Sequence, residues 1–145
     1  MSVNDVLIKL IRLGHVNRAA KVAQNYKVSD VTFTWIQLRA LVSQRDWNSL
    51  EKWIAKLKKS PIGFEPFVTE ILAAGNRRLA IAVVPRCIDV SSRIDLYLKL
   101  EEPLKAAQEA FKQKDMIRLK RIKDVAGSSA GDVETLIRQL KDNKR

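Results

Sequence analysis

Few side chains in this sequence could do chemistry, and their spacing argues against most kinds of it. There is one histidine, His15, and one cysteine, Cys87. A cysteine–histidine nucleophilic pair needs the two within hydrogen-bond reach, and here several helical segments separate them. A zinc site needs three or four Cys, His or carboxylate ligands in a compact pattern, which the two do not make, and a lone cysteine permits no internal disulfide. That usage suits a reduced, cytoplasmic setting. Glu101 and Glu102 are adjacent, so on a helix they diverge; ahead of Pro103 they read as partners of a helix N-terminus. Asp89, Asp95, Asp115 and Asp124 are scattered, without the spacing of a calcium loop. No glycine-rich phosphate cradle is present. Catalytic, cofactor-binding and metal-ligating residues are accordingly assigned as none. The chain reads as a non-enzyme with no cofactor and no small-molecule substrate.

What the sequence does carry is positive charge. Its 145 residues hold 27 Lys and Arg against 16 Asp and Glu, a net charge of +11. Lys52, Lys56 and Lys59 fall at i, i+4 and i+7, and Lys114, Arg118 and Arg121 repeat that spacing, with Lys120 and Lys123 beside them. Such stripes suit an acidic protein, an anionic membrane or nucleic acid, and they also suit the plain solvated face of a helix. Nucleic acid would favour exposed aromatic rings for stacking, but Trp53 and Phe111 occupy core-like positions. The nucleic-acid reading therefore ranks below a protein partner.

The elements that must position these residues are helical. Apolar residues recur with helical period along most of the chain. Val3, Val6, Leu7, Leu10 and Ile11 mark a first helix, with Ser2 and Asp5 as a capping box and Gly14 as its left-handed stop. Further helices are expected over 17–26, over a segment capped by Ser29 or Asp30, and after Asp46. Four more should begin near Glu65, Arg77, Ser91 or Ser92, and Pro103, and another after Asp115. Ala20 and Tyr26 are available to the core, and Ala19, Ala20, Ala23, Ala80 and Ala82 would let helix axes approach closely. Residues 127–131, Gly-Ser-Ser-Ala-Gly, form a flexible break before a polar last helix capped by Asp132. No apolar run approaches the roughly 18 residues of a membrane span, and the N-terminal residues do not resemble a signal peptide.

Turns followed by helices with small residues recur at Gly14, Arg45 and Gly75, 31 and 30 residues apart, with a weaker echo at Glu101. Pairs of short helices cannot bury their apolar faces alone, but stacked neighbours can. The expected fold is all-α, an α-solenoid of about five stacked antiparallel helical hairpins. It would form a single helical-repeat domain over 1–145, a piece of a longer chain.

The stretch KKSPIGFEPF, residues 58–67, reads as a corner between two such hairpins. Pro61 turns Ser60 away from helix, Gly63 permits a tight turn, and Pro66 suits a first helical turn. This stretch also carries a resemblance. Arg45-Asp46-Trp47, then Lys58-Lys59-Ser60-Pro61-Ile62-Gly63-Phe64, then Pro66-Phe67-Val68 is similar in order and spacing to the C-terminal region of the vacuolar protein sorting-associated protein 16 family. The shorter paralogue, spermatogenesis-defective protein 39, is a related match. The resemblance implies a subunit of the class C core of the HOPS and CORVET tethering complexes. It implies an α-solenoid that docks an SM-family SNARE regulator, vacuolar protein sorting-associated protein 33, beside other tethering-complex subunits. It further implies a cytoplasmic location, peripheral on late endosome, lysosome or vacuole membranes, with membrane contact indirect.

On that implication the partner-binding surface lies on the early hairpins, at Asn17, Lys21, Tyr26, Asp30, Thr32, Trp35 and Arg39. Where relatives carry two basic residues after the aspartate, this chain has Val31 and Thr32, so contact detail should differ. The remaining readings are a basic solenoid for nucleic acid, or a scaffold on anionic membrane through Lys52, Lys56, Lys59 and the 114–123 cluster.

Overall fold

A computed structural model describes residues 2–143. Among these residues there are helices and no strands, so the all-α class holds. Packing separates the chain into two compact units, one through Leu79 and one from Ala80, where the sequence reading is of one helical-repeat domain.

The first unit contains α1 (Val3–Arg12), α2 (Val16–Asn25), α3 (Asp30–Gln44), α4 (Trp47–Lys56) and α5 (Glu65–Ala73), and α6 (Arg77–Val83) begins at its end. Its organiser is α3, which packs on α1, α4 and α5, while α1 also packs on α2. Leu38, Leu41, Leu7, Ile11, Leu50, Ile54, Phe67 and Ile71 form the buried apolar interior. The second unit contains a 3₁₀ turn (Val84–Arg86), α7 (Val90–Lys99), α8 (Pro103–Lys112), α9 (Met116–Val125), a second 3₁₀ turn (Gly127–Ser129) and α10 (Ala130–Asn143). Here α8 is central, packing on α7, α9 and α10. Ala106, Ala107 and Ala110 are fully buried, which lets neighbouring helices come close to its axis. Within each unit the packed antiparallel helix pairs are those expected of α-solenoid hairpins.

The corners repeat one backbone device. At six helix ends a left-handed residue donates its N–H three residues back, and the next residue donates five back. At Gly14 and His15 the acceptors are Ile11 and Leu10, at 3.0 and 2.8 Å; at Arg45 and Asp46 they are Val42 and Leu41, both at 3.0 Å. Gly75 with Asn76 does the same, as do Lys27 with Val28, Glu101 with Glu102 and Lys114 with Asp115. The four repeat starts read from sequence, Gly14, Arg45, Gly75 and Glu101, are all left-handed corner residues. At several corners the following residue caps the next helix. Asp46 accepts from Ser49 N–H at 3.2 Å, Asn76 from Leu79 N–H at 3.1 Å, and Asp115 from Arg118 N–H at 3.1 Å.

Some boundaries and faces differ from the sequence reading. Asp89, not Ser91 or Ser92, caps α7, because its carboxylate accepts both the backbone N–H of Ser92 (3.1 Å) and its hydroxyl (2.9 Å). Pro85 ends α6 and sits in a 3₁₀ turn. The run 127–131 contains a 3₁₀ turn, and α10 starts at Ala130, two residues before Asp132. Ala20, Ala82 and Tyr26 face solvent, while Ala19, Ala23 and Ala80 do approach neighbours.

The corner at 58–67 is closed and packed. Gly63 N–H donates to the Ser60 carbonyl at 3.0 Å, and Gly63 is left-handed at φ +74°. Phe64 is buried and stacks 5.4 Å from Phe67, whose ring lies 5.1 Å from Trp53 of α4. Gly63→Ala should lower stability by about 1–2 kcal/mol, the cost of a left-handed L-residue. The added Cβ would stand 2.6 Å from a Glu65 carboxylate oxygen, but that side chain can swing aside, so the backbone term dominates. Denaturant unfolding of the variant checks this, and an unchanged midpoint would contradict a left-handed corner.

Candidate functional site

The longest helix of the first unit positions the main surface feature. Ser29 caps α3, its hydroxyl oxygen accepting from Thr32 N–H at 3.1 Å, and Thr34 donates its hydroxyl to the Asp30 carbonyl at 2.7 Å. The far end is tied on two sides. Gln44 Nε2 donates to the Arg12 carbonyl at 3.1 Å, and Arg45 Nη1 to the Ala74 carbonyl at 2.7 Å. The helix is thereby fixed against the ends of α1 and α5.

Between α1 and α3 runs an open groove of about 550 Å³. Asn4, Ile8 and Arg12, spaced i, i+4, i+8, form the α1 wall; Thr32, Trp35, Ile36 and Arg39 form most of the α3 wall. The Arg39 guanidinium carbon lies 4.8 Å above the Trp35 ring, a cation–π contact. Its Nε is 3.8 Å from Glu70 Oε1 on α5. The floor is aliphatic and aromatic, and the rim carries two guanidinium groups. Such a surface suits an apolar side chain flanked by acidic groups.

The structure divides the sequence-derived contact set. Thr32, Trp35 and Arg39 come together in this groove. Asp30 lies instead in a second hollow of about 500 Å³, between the end of α2 and the start of α3, with Lys27 and Phe33. Asn17 and Lys21 are exposed along α2, and Tyr26, 66% exposed, is its C-terminal cap; none of the three lines either hollow. The contribution of α1 was not read from sequence. Its four-residue spacing, Asn4-Ile8-Arg12, was the available signal, but the helix pairing that sets it opposite Trp35 was not.

The basic residues also separate. Lys52 and Lys56 are exposed on α4, but the helix ends at Lys56, so Lys59 belongs to the corner rather than to a stripe. Lys114 is likewise a corner residue, at φ +55°. Arg118 donates to Ser91 Oγ at 2.8 Å and lies 3.7 Å from Asp115. Lys123 pairs with Glu134 of α10 at 2.6 Å, which holds that carboxyl below its ordinary range. Lys120 and Arg121 point to solvent. His15 is exposed in the first unit and Cys87 is buried in the second. No group of three His, Cys, Asp or Glu able to hold a metal occurs among the described residues.

Comparison with known proteins assigns the chain a family. The model of the family "Vps16, C-terminal region" matches residues 1–141. A probable vacuolar protein sorting-associated protein 16 homolog from Schizosaccharomyces pombe is 35% identical over 146 residues, covering 99% of this chain and 16% of the relative. The Dictyostelium discoideum homolog is 34% identical over 145 residues, covering 100% of the chain and 17% of the relative. Protein VACUOLELESS1 of Arabidopsis thaliana is 34% identical over 114 residues, covering 79% and 13%. The chain thus spans about a sixth of the length of the curated relatives it matches.

Proposed function

This chain belongs to the Vps16 C-terminal-region family, and we propose that it works there as a non-catalytic docking module in vacuolar protein sorting. Its partner in this reading is an SM-family SNARE regulator, vacuolar protein sorting-associated protein 33. By holding that regulator beside the other subunits of a HOPS- or CORVET-type tethering complex, it serves fusion at late endosome, lysosome or vacuole membranes. No helix among the described residues is long and apolar enough to cross a membrane, and the attachment proposed is peripheral.

The observation that carries the reading is the groove between α1 and α3. It joins an aromatic anchor, Trp35, to a guanidinium held over it and to the aliphatic Ile8 and Ile36. Tryptophan and arginine are the residues that most often dominate binding energy at protein interfaces. Asn4, Ile8 and Arg12 extend the contact face to α1, so the proposed surface is broader than the 17–39 segment alone.

The test is a quantitative pull-down of purified SM partner by this chain. Trp35→Ala with Arg39→Glu should weaken binding about thirtyfold or more, as for loss of an interface hot spot. Lys52→Glu with Lys56→Glu, on α4, should leave it unchanged. Both variants alter partly or fully exposed side chains, and thermal melting checks that they remain folded. Undiminished binding by the folded groove variant would sink the assignment.

A further inference from the structure

Among the exposed large apolar side chains, Ile88 stands out at 88% exposure, and Ile117 is 67% exposed. Single apolar residues on a surface are ordinary, so the weight falls on how these two are held. Arg93 of α7 reaches back and donates Nη1 to the carbonyls of Cys87 (2.7 Å) and Ile88 (3.0 Å). The same guanidinium is held by Glu109 of α8 at 3.3 Å, with side-chain exposures of only 18% and 15%. A largely buried ion pair therefore pins the backbone of the segment that carries Ile88 outward. Next to it, Arg118 Nη2 donates to Ser91 Oγ at 2.8 Å, joining the first turns of α9 and α7. That bond ties the α9 turn carrying Ile117 to the start of α7, three residues beyond Ile88. A shallow hollow of about 620 Å³ lies there, with Val90 and Ser91 on one side and Lys114, Ile117 and Arg118 on the other.

Charge around Ile117 is mainly positive. Lys112, Lys114, Lys120 and Arg121 are exposed around the Ile117 end. Asp115 caps α9 and pairs with Arg118, while Asp89 caps α7 but stays exposed beside Ile88, and Asp95 is exposed one turn along α7 from Ser91. Asp124 faces solvent two turns further along α9. Two aliphatic tips, with cations around Ile117, do not make the continuous apolar core of a specific protein interface, which in all buries about 800 Å² per partner. They also lack the aromatic rings that nucleic-acid strands stack on. They do match a lipid surface, where apolar side chains enter the headgroup layer and cations meet acidic headgroups.

We propose that this edge of the second unit docks directly onto an anionic phospholipid surface, with Ile88 and Ile117 entering the headgroup layer and Lys114, Lys120 and Arg121 contacting the headgroup anions. The docking uses residues of the second unit alone, and neither the first-unit groove nor the α4 lysines take part in it.

Flotation of this chain with vesicles of phosphatidylcholine, with and without phosphatidylserine, tests it. The wild-type chain should float with the phosphatidylserine vesicles and stay behind with phosphatidylcholine alone. Ile88→Ser with Ile117→Ser should lower the partition about tenfold or more. Lys114→Glu, Lys120→Glu and Arg121→Glu together should lower it further, since each cation near an anionic surface contributes about fivefold. Lys52→Glu with Lys56→Glu should change little. The substituted side chains are exposed, so melting curves should be unchanged and serve as the folding control. The proposal is overturned if wild type does not float with anionic vesicles, or if the isoleucine variant floats equally well. It is also overturned if RNA binds the same cations and the isoleucines make no difference, which would mark a phosphate-binding patch instead.

Discussion

Phe67→Ala should reduce the stability of the first unit by about 3–5 kcal/mol, the range for deleting a buried aromatic ring from a packed core. Phe67 is fully buried and is the point where three segments meet. Its ring contacts Phe64 from the 58–67 corner and Trp53 from α4, while its own backbone belongs to the first turn of α5. Removing it takes away apolar burial and leaves a cavity whose lining is anchored on two helices and a closed turn, which restricts collapse. The measurement is convenient because all three tryptophans, Trp35, Trp47 and Trp53, lie in the first unit. Their fluorescence during denaturant unfolding reports that unit. A loss below about 1 kcal/mol would mean that the site closes over the gap, and that the corner is less rigid than its geometry implies.

Arg93→Ala should be comparably damaging to the second unit, by about 3 kcal/mol or more, because it strands one partner of a mostly buried ion pair. Glu109 would be left without its partner and with little access to water, and the carbonyls of Cys87 and Ile88 would lose their donor. The decisive comparison is the double variant Arg93→Met with Glu109→Leu. Replacing both charges by apolar groups should recover a large part of the loss, since the desolvation of two ions then disappears along with their attraction. Amide hydrogen exchange across α7 and α8 measures both variants. If the double variant is no more stable than the single one, the carbonyl bonds rather than the ion pair dominate. Even the rescued variant should reduce partition onto anionic vesicles, because the Ile88 segment would no longer be pinned. That outcome separates a role in holding the loop from a role in stability alone.

Much of the fold was legible in local signals. Capping residues set the starts: Ser2, Asp46, Asn76 and Asp115 each bond to the helix they precede, because a side-chain oxygen at the cap satisfies an otherwise open N–H. Gly14 and Gly75 marked corners because glycine occupies left-handed backbone cheaply. Arg45 and Glu101 occupy the same conformation at φ +56° and +60°, and their residue type alone gives no hint of it. Arg45 is legible through its spacing of 31 and 30 residues from Gly14 and Gly75, and Glu101 only as a weaker echo of the same turn-helix pattern. Lys27 and Lys114, which have no such alignment, were missed as corners.

Chemistry of residue types, helical period and the order of caps and corners are properties of neighbours in the chain, and the sequence by itself determined them: an all-α protein of short antiparallel pairs, with the family signature at a structural corner. Which helix faces share a surface depends on packing between segments dozens of residues apart, and only the tertiary structure decided that. It placed Asn4, Ile8 and Arg12 of α1 opposite Trp35, parted Asn17, Lys21 and Tyr26 from Thr32 and Arg39, and removed Lys59 from the α4 stripe. It likewise tied the first turns of α7 and α9 together through the Arg118–Ser91 bond. Helical period assigns a residue to a face; the neighbour that face meets is selected by buried contacts that no local pattern encodes.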